Sequence, residues 1–549
     1  MPFGILEDHT LEHVPGTVLL ETLNHVVNTT DTTGPHELKR GTGRHSHIVL
    51  VPQPSEDLND PLNWPLWQRD VIFIIYCYCT ILVVGSIGPL LSSSAFILLE
   101  EFHVGFTEIS LLTGYNLIAV GAMGIFMSAA CRKYGKRPGF LFSMICAFGG
   151  TIWGGTATSY NSLVGARVLQ GLGISAFESV MYAVVGDLYF VHERGIRTAL
   201  FTTCLSGLAQ LPAMLAGVIT QDLGWKWMFW LLSIFIGVAV ILVALLGWET
   251  AYVRDIVYET DQVSYEHLVV VETKDLPPTC EEDVSSPQTP VSADGSPRPR
   301  KSLVQRMAIY SGTYTEESFV TLIVRPFIVL LNPAAIWAVL TMAFTTLWYV
   351  VISFVVAQVF ASPPYLLDSA HVGYLSAGPV VGGTLGCIVC ALISDPIIRW
   401  LARKNDGVYE PEFRLVLIIG VLVPSAIGFF LFGNLAGEGK SPTSVSVAWG
   451  VAVVAPQFMS VVVGTYIVDA YRSLAQEIFI IAMVLKNFLF FGFSYFMNDW
   501  VANWGVARVF DCIGGVEIAI CALSLPMWFF GKRLRAFIYK HHVMEKLKL

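Results

Sequence analysis

Charge is what this sequence has least of. Only 14% of its 549 residues are Asp, Glu, Lys or Arg, against 54% hydrophobic, and the mean hydropathy is +0.61. Soluble globular chains carry about 25% charged residues. A water-soluble fold could not expose the apolar surface left over without aggregating, and a disordered chain would be poor in apolar residues instead. Basic excess is missing too: 33 Lys and Arg stand against 42 Asp and Glu, a net charge of −9. That balance argues against a nucleic-acid partner, whose phosphates demand cations. No complete G-x-x-x-x-G-K-[ST] loop is present, which argues against an ATP-driven pump. No nucleophile elbow, zinc HExxH or paired-carboxylate signature lies outside the apolar runs, so the chain is not expected to be an enzyme or to hold a cofactor or metal. The stretch through Pro61 lacks a basic region leading into an apolar one, so no cleavable signal is expected.

What is present is apolar sequence in long runs. About 20 apolar residues cross one bilayer, and a window of that size finds twelve candidate spans. They divide the chain into a tail (1–70), six spans (71–248), a polar linker (249–333), six more spans (334–530) and a basic tail (531–549). The linker contains Ser285-Ser286-Pro287, Thr289-Pro290 and Ser296-Pro297-Arg298-Pro299, a composition suited to a solvated connection open to phosphorylation. The ten cysteines lie mostly in apolar runs, where Cys behaves as a small hydrophobe. Alternate loops hold Arg132, Lys133, Lys136, Arg137, Arg194, Arg197, Arg399, Arg403, Lys404, Arg414 and Arg472, whereas the others hold only Lys226, Lys440 and Arg508. By the positive-inside rule both termini are cytosolic. Two six-helix halves joined by a long cytosolic linker point to a secondary transporter.

Particular runs carry a resemblance. Arg132-Lys133-Tyr134-Gly135-Lys136-Arg137-Pro138, between spans 2 and 3, is similar to the G-x-L-x-D-R-x-G-R-R loop of the major facilitator superfamily. Ser128 stands where the family has its first Gly, and Arg132 where it has Asp, so this chain must close its gate by other contacts. Gly165-Ala166-Arg167-Val168-Leu169-Gln170-Gly171 resembles the arginine motif of the fourth helix, linked to proton coupling. Gly224-Trp225-Lys226-Trp227-Met228-Phe229 resembles the run opening the sixth. Of the fifth-helix antiporter signature, Gly207 and Pro212 remain while three glycines are replaced. Asp60-Pro61-Leu62-Asn63-Trp64-Pro65, Phe190-Val191-His192-Glu193-Arg194-Gly195 and Tyr409-Glu410-Pro411-Glu412-Phe413-Arg414 look like the fungal drug:proton-type branch, near the histidinol and polyamine permeases. The resemblance covers about Asp60 to Arg535. It implies an all-α membrane protein of twelve transmembrane helices in two six-helix bundles. It further implies a monomer in the plasma or vacuolar membrane, moving a small organic solute with protons.

Ionisable groups at bilayer depth are costly and mark a cavity or pathway by default. Four stand out: Arg167, Glu178, Lys486 and Glu517. Arg167 and Glu178 are eleven residues apart in span 4, about 20° past three full turns, hence on one stripe. The stripe is expected to face the cavity, with Glu178 as proton acceptor or substrate counter-ion; the alternative is a structural carboxylate. Lys486 in span 11 and Glu517 in span 12 either pair across adjacent helices, or Lys486 points into the cavity. Arg132, Lys133, Gly135, Lys136, Arg137, Asp187, Arg194 and Arg197 are expected to form cytosolic gate contacts, with Asp395, Arg399 and Arg403 as their counterpart in the second half. Efflux of a drug or secondary metabolite is the expected activity; proton-symport uptake of a cationic nutrient such as a polyamine, or a non-transporting sensor, are the alternatives.

Overall fold

The computed structural model describes residues 4–6, 14, 17–19, 50–253 and 301–540, apart from 51, 53, 56, 209, 406, 472 and 473. Arg472 and the Ser/Thr-Pro sites of the linker lie outside the described residues.

Among the described residues, twelve helices are long and apolar enough to cross a membrane. In chain order, spans 1 to 6 are Leu66–Ser86, Phe106–Tyr134, Lys136–Thr156, Tyr160–Leu188, Ile196–Leu223 and Trp225–Leu246. Spans 7 to 12 are Pro333–Phe360, Ser369–Lys404, Pro411–Gly437, Pro442–Ala470, Ala475–Trp504 and Val506–Lys540. In hydrocarbon only a helix or a closed barrel satisfies every backbone group, so these apolar runs have one local solution. Non-helical backbone is confined almost wholly to connections. In the connection between spans 8 and 9, Val408–Tyr409 forms a two-residue antiparallel pair with Val18–Leu19, which ties the N-terminal tail to the second half.

Each six-span set packs as a bundle, and the bundles meet chiefly along spans 2 and 11 and at the start of span 8 against span 5. Without a hydrophobic force between helices in lipid, close packing depends on small residues. At Gly382 of span 8 a Cβ would overlap the Gly450 carbonyl of span 10, and at Gly217 of span 5 one would overlap the Ser369 carbonyl of span 8. The first contact lies within the second half; the second joins the halves.

Three spans of the first half are irregular. Span 1 ends in a π-helical segment, Ile81–Ser86. Span 4 is broken at Val180, between Tyr160–Ser179 and Met181–Leu188. Span 5 passes through a π segment, Thr203–Gly207, before Leu211–Leu223 begins with Pro212 in its first turn. Such departures from α geometry recur at functional sites.

The linker is not solvated throughout. Its last part carries a short apolar helix, Phe319–Leu331, packed across spans 2 and 11 just before span 7. Apolar periodicity over Phe319-Val320-Thr321-Leu322-Ile323-Val324 is the signal that a linker defined only by the preceding Ser/Pro-rich stretch obscures.

Candidate functional site between the two halves

Glu178 and Lys486 come together. Glu178 sits about ten residues from the basic end of span 4, and Lys486 eleven from the basic end of span 11, or about 15 Å at 1.5 Å per residue. The Lys486 ammonium bonds the Glu178 carboxylate, joining the first half to the second. Their side chains are 11% and 18% exposed, neither sealed nor freely solvated. Asn487 Nδ2 donates to the other Glu178 oxygen at 3.2 Å. Aromatic rings stand around the pair. Lys486 Nζ lies 5.7 Å from the Phe490 ring centre. Tyr182, one turn beyond Glu178, stacks on Phe479 of span 11 at 6.5 Å. Glu178 is the last carboxylate before the break in span 4, so a change at Val180 moves it directly.

Lys486 therefore does not pair with Glu517. Glu517 faces the opposite way, inside the second half, where Oε1 accepts from Thr345 Oγ1 of span 7 at 2.7 Å and from Cys521. It is fully buried, and its Oε2 has no hydrogen-bond partner among the described residues. Adjacent spans in sequence were the basis for expecting the pair, but span 11 turns Lys486 toward span 4.

The Arg167–Glu178 stripe does not face one cavity. Arg167 is fully buried within the first half. It donates to the carbonyls of Ile87 (from Nη1), Gly88 at 3.1 Å and Leu112 at 3.4 Å, and to Gln170 Oε1 at 3.0 Å. Ile87 and Gly88 follow the π segment of span 1, so Arg167 ties the end of span 1 to spans 2 and 4. The stripe is continuous, but helices cross it at different levels: spans 1 and 2 at Arg167, span 11 at Glu178.

At the basic face, Arg132 answers the missing loop Asp. Its Nη1 is 2.8 Å from Glu477 Oε1 at the start of span 11, and Glu477 is 1% exposed. Arg325 Nε of the linker helix lies 3.3 Å from the same Glu477 oxygen, an ion pair without hydrogen-bond geometry, while its Nη1 donates to Glu317 at 3.3 Å. The charge order is inverted relative to the family loop: the cation is on the loop and the carboxylate on the other half. Lys133 donates to the Glu317 carbonyl at 2.9 Å and accepts from the Tyr314 amide. Burial, with the Glu249 carboxylate nearby, pushes the Tyr314 phenol above its usual range and keeps it neutral. Gly135, at φ +95°, makes the turn between spans 2 and 3, and Glu249 caps the amides of Lys136 and Arg137 there. Lys136 pairs with Asp187 at 2.5 Å. Arg137 donates to carbonyls at the end of span 6, including Ala244 at 2.6 Å. Arg194 caps the end of span 4 through Gly186 and Tyr189, and Arg197 pairs with Asp70 at 3.3 Å. Apart from the Glu477 cluster and the linker contacts of Glu249, Tyr314 and Glu317, these contacts stay within the first half.

The second-half counterpart lies elsewhere than expected. Asp395, Arg399 and Arg403 are exposed, and no ion pair involves them among the described residues. The buried network is Glu410, Glu412 and Arg535. Arg535 meets Glu412 through two bonds, of 3.1 and 2.7 Å, and Glu410 at 3.1 Å; Lys532 meets Glu410 at 2.6 Å. Both carboxylates are fully buried. Arg414 pairs with Asp469 at 2.6 Å. Glu410, Glu412 and Arg414 belong to a run already conspicuous in the sequence, but their distant partner in the last helix leaves no local signal.

On the opposite face the halves are joined at several points. Gln221 donates to Asp368 at 3.1 Å and Asn498 to Ser110 at 2.6 Å; deeper, near the middle of spans 5 and 7, Gln210 donates to Tyr349 at 2.8 Å. Gln210 and Pro212 follow the π segment that ends at Gly207, so the altered span 5 motif supplies a seal between halves.

Comparison with known proteins agrees with this architecture. Residues 74–479 match the family described as Major Facilitator Superfamily. The chain is 25% identical to an uncharacterized MFS-type transporter of Schizosaccharomyces pombe, over 97% of this chain and 95% of that one. It is 22% identical to a probable drug/proton antiporter, YHK8, of Saccharomyces cerevisiae, over 91% of each. Among solved structures it resembles the proton:xylose symporter XylE bound to 6-bromo-6-deoxy-D-glucose, with a TM-score of 0.56 at 13% identity, over 85% of this chain and 96% of that one.

Proposed function

The chain belongs to the major facilitator superfamily, and on that premise we propose that it exports a small lipophilic organic cation in exchange for protons. Membership makes it a multi-pass membrane transporter and not an enzyme. The observation that carries the finer reading is the Lys486–Glu178 ion pair between the halves. A solute cation entering at Glu178 takes the place of the Lys486 ammonium. The charge of the site is conserved if the displaced Lys486 ammonium gives up one proton as one cation enters, which is exchange. Phe490, Tyr182 and Phe479 offer ring faces to an apolar cation. Efflux as the direction draws support from the likeness to YHK8, a probable drug/proton antiporter.

Arg167 has a positioning part in this reading. It bonds carbonyls and Gln170, and it fixes the end of span 1 against span 4, about three turns from Glu178. Alternating access then consists of opening the seal at Gln221–Asp368 while the basic face closes. Plasma membrane remains the proposed location, and a monomer the proposed working unit.

The test is flux into proteoliposomes with imposed pH gradients of both signs, using ethidium as the lipophilic cation and spermidine as the polyamine. The expected result is ethidium movement against the direction of proton flow. Spermidine moving with protons would replace export by nutrient uptake. No gradient-dependent flux of either would bring forward a transporter-like sensor.

A further inference from the structure

The linker helix Phe319–Leu331 has two unlike faces. Leu322, Pro326 and Val329 are buried against the bundle. Val320, Val324, Phe327 and Leu331, spaced four, three and four residues apart, form one exposed stripe. They are 65%, 44%, 45% and 64% exposed. Water is a poor neighbour for four large apolar side chains in a row, and among the described residues none covers them. Only Asn332 separates Leu331 from Pro333, where span 7 begins. The helix is therefore held at the membrane boundary on the basic face, and its stripe runs on into the exposed Ile336 of span 7. A helix with an apolar stripe at that depth lies in the interface plane, with the stripe among the acyl chains.

Its other face reaches both halves. The Tyr314 amide donates to the Lys133 carbonyl, and Lys133 Nζ to the Glu317 carbonyl, at 2.9 Å each, so the segment is fastened to the loop after span 2. The Phe319 ring lies 6.4 Å from that of Tyr134. Arg325 then extends to Glu477 of span 11, the same buried carboxylate that Arg132 reaches from the first half. We propose that this helix is a lipid-seated latch: the leaflet on the basic face holds its apolar stripe, and Arg325 holds the basic ends of spans 2 and 11 together through Glu477. Its partner is the lipid surface itself, not a protein or a second copy of the chain.

The seat and the latch can be tested separately in single-copy nanodiscs. A nitroxide on Val324→Cys is expected to be relaxed more by oxygen, which concentrates in bilayers, than by an aqueous nickel chelate. A nitroxide on Glu316→Cys, in the exposed loop before the helix, should show the reverse. Aqueous behaviour at position 324 overturns the lipid seat. For the latch, a label pair at Ile196 and Trp400, exposed positions toward the basic ends of the two halves, reports their separation. Arg325→Gln should raise the population of the longer separation at least twofold, and so should Val320→Asp with Val324→Asp. An unchanged distribution in Arg325→Gln, the milder variant, overturns the latch.

Discussion

Replacing Glu178 with Gln is expected to abolish coupling between a pH gradient and cation flux. The amide keeps the shape and the hydrogen bond from Asn487, so packing survives. It removes the charge that Lys486 faces and that an incoming cation needs. Breaking one side of a partly buried ion pair leaves the other charge uncompensated. Solvent reaches this pair, so the full buried-pair penalty is discounted; a loss of at least about tenfold in gradient-driven ethidium flux remains. Flux is measured in proteoliposomes at matched protein incorporation. A variant that keeps full pH-dependent transport removes Glu178 from the mechanism.

The second large effect concerns folding. Arg535→Met should cost about 3–5 kcal/mol, because it leaves Glu410 and Glu412 buried with a single cation, Lys532, on one of them. The expected readout is a clear fall in thermal midpoint in detergent and loss of the monodisperse peak. Arg403→Ala, which removes an exposed arginine without an ion pair among the described residues, should stay within about 0.5 kcal/mol of the parent. Equal effects from the two variants would refute the assignment of the second-half network to Arg535.

Much of this molecule is legible in its composition. Low charge and long apolar runs dictate spans, since hydrocarbon permits few other structures, and a window about one bilayer long counts twelve of them. The residues of the central pair are legible too, because Glu178 and Lys486 are conspicuous at bilayer depth. Their partnership is not. Periodicity assigns a residue to a stripe of its own helix, but it does not say which helix crosses that stripe at a given height. Hence Arg167 and Glu178 share a stripe and do different things, and Glu517 turns to Thr345 instead of Lys486. Glu477 has the opposite history. It sits beside a short loop, where a surface carboxylate is expected, yet arginines from the first half and from the linker converge on it. Contacts of that range depend on how two bundles are placed, and no local pattern encodes them.

The Lys486–Glu178 pair bears most of the mechanism, and reversing it is the most direct test. Glu178→Lys alone and Lys486→Glu alone each set like charges face to face, and both should be inactive in ethidium exchange. Made together, they restore an ion pair with its polarity reversed, and the coupling between the sites should bring back at least about a tenth of the parental rate. A double variant as inactive as either single one, or single variants as active as the parent, would contradict the account.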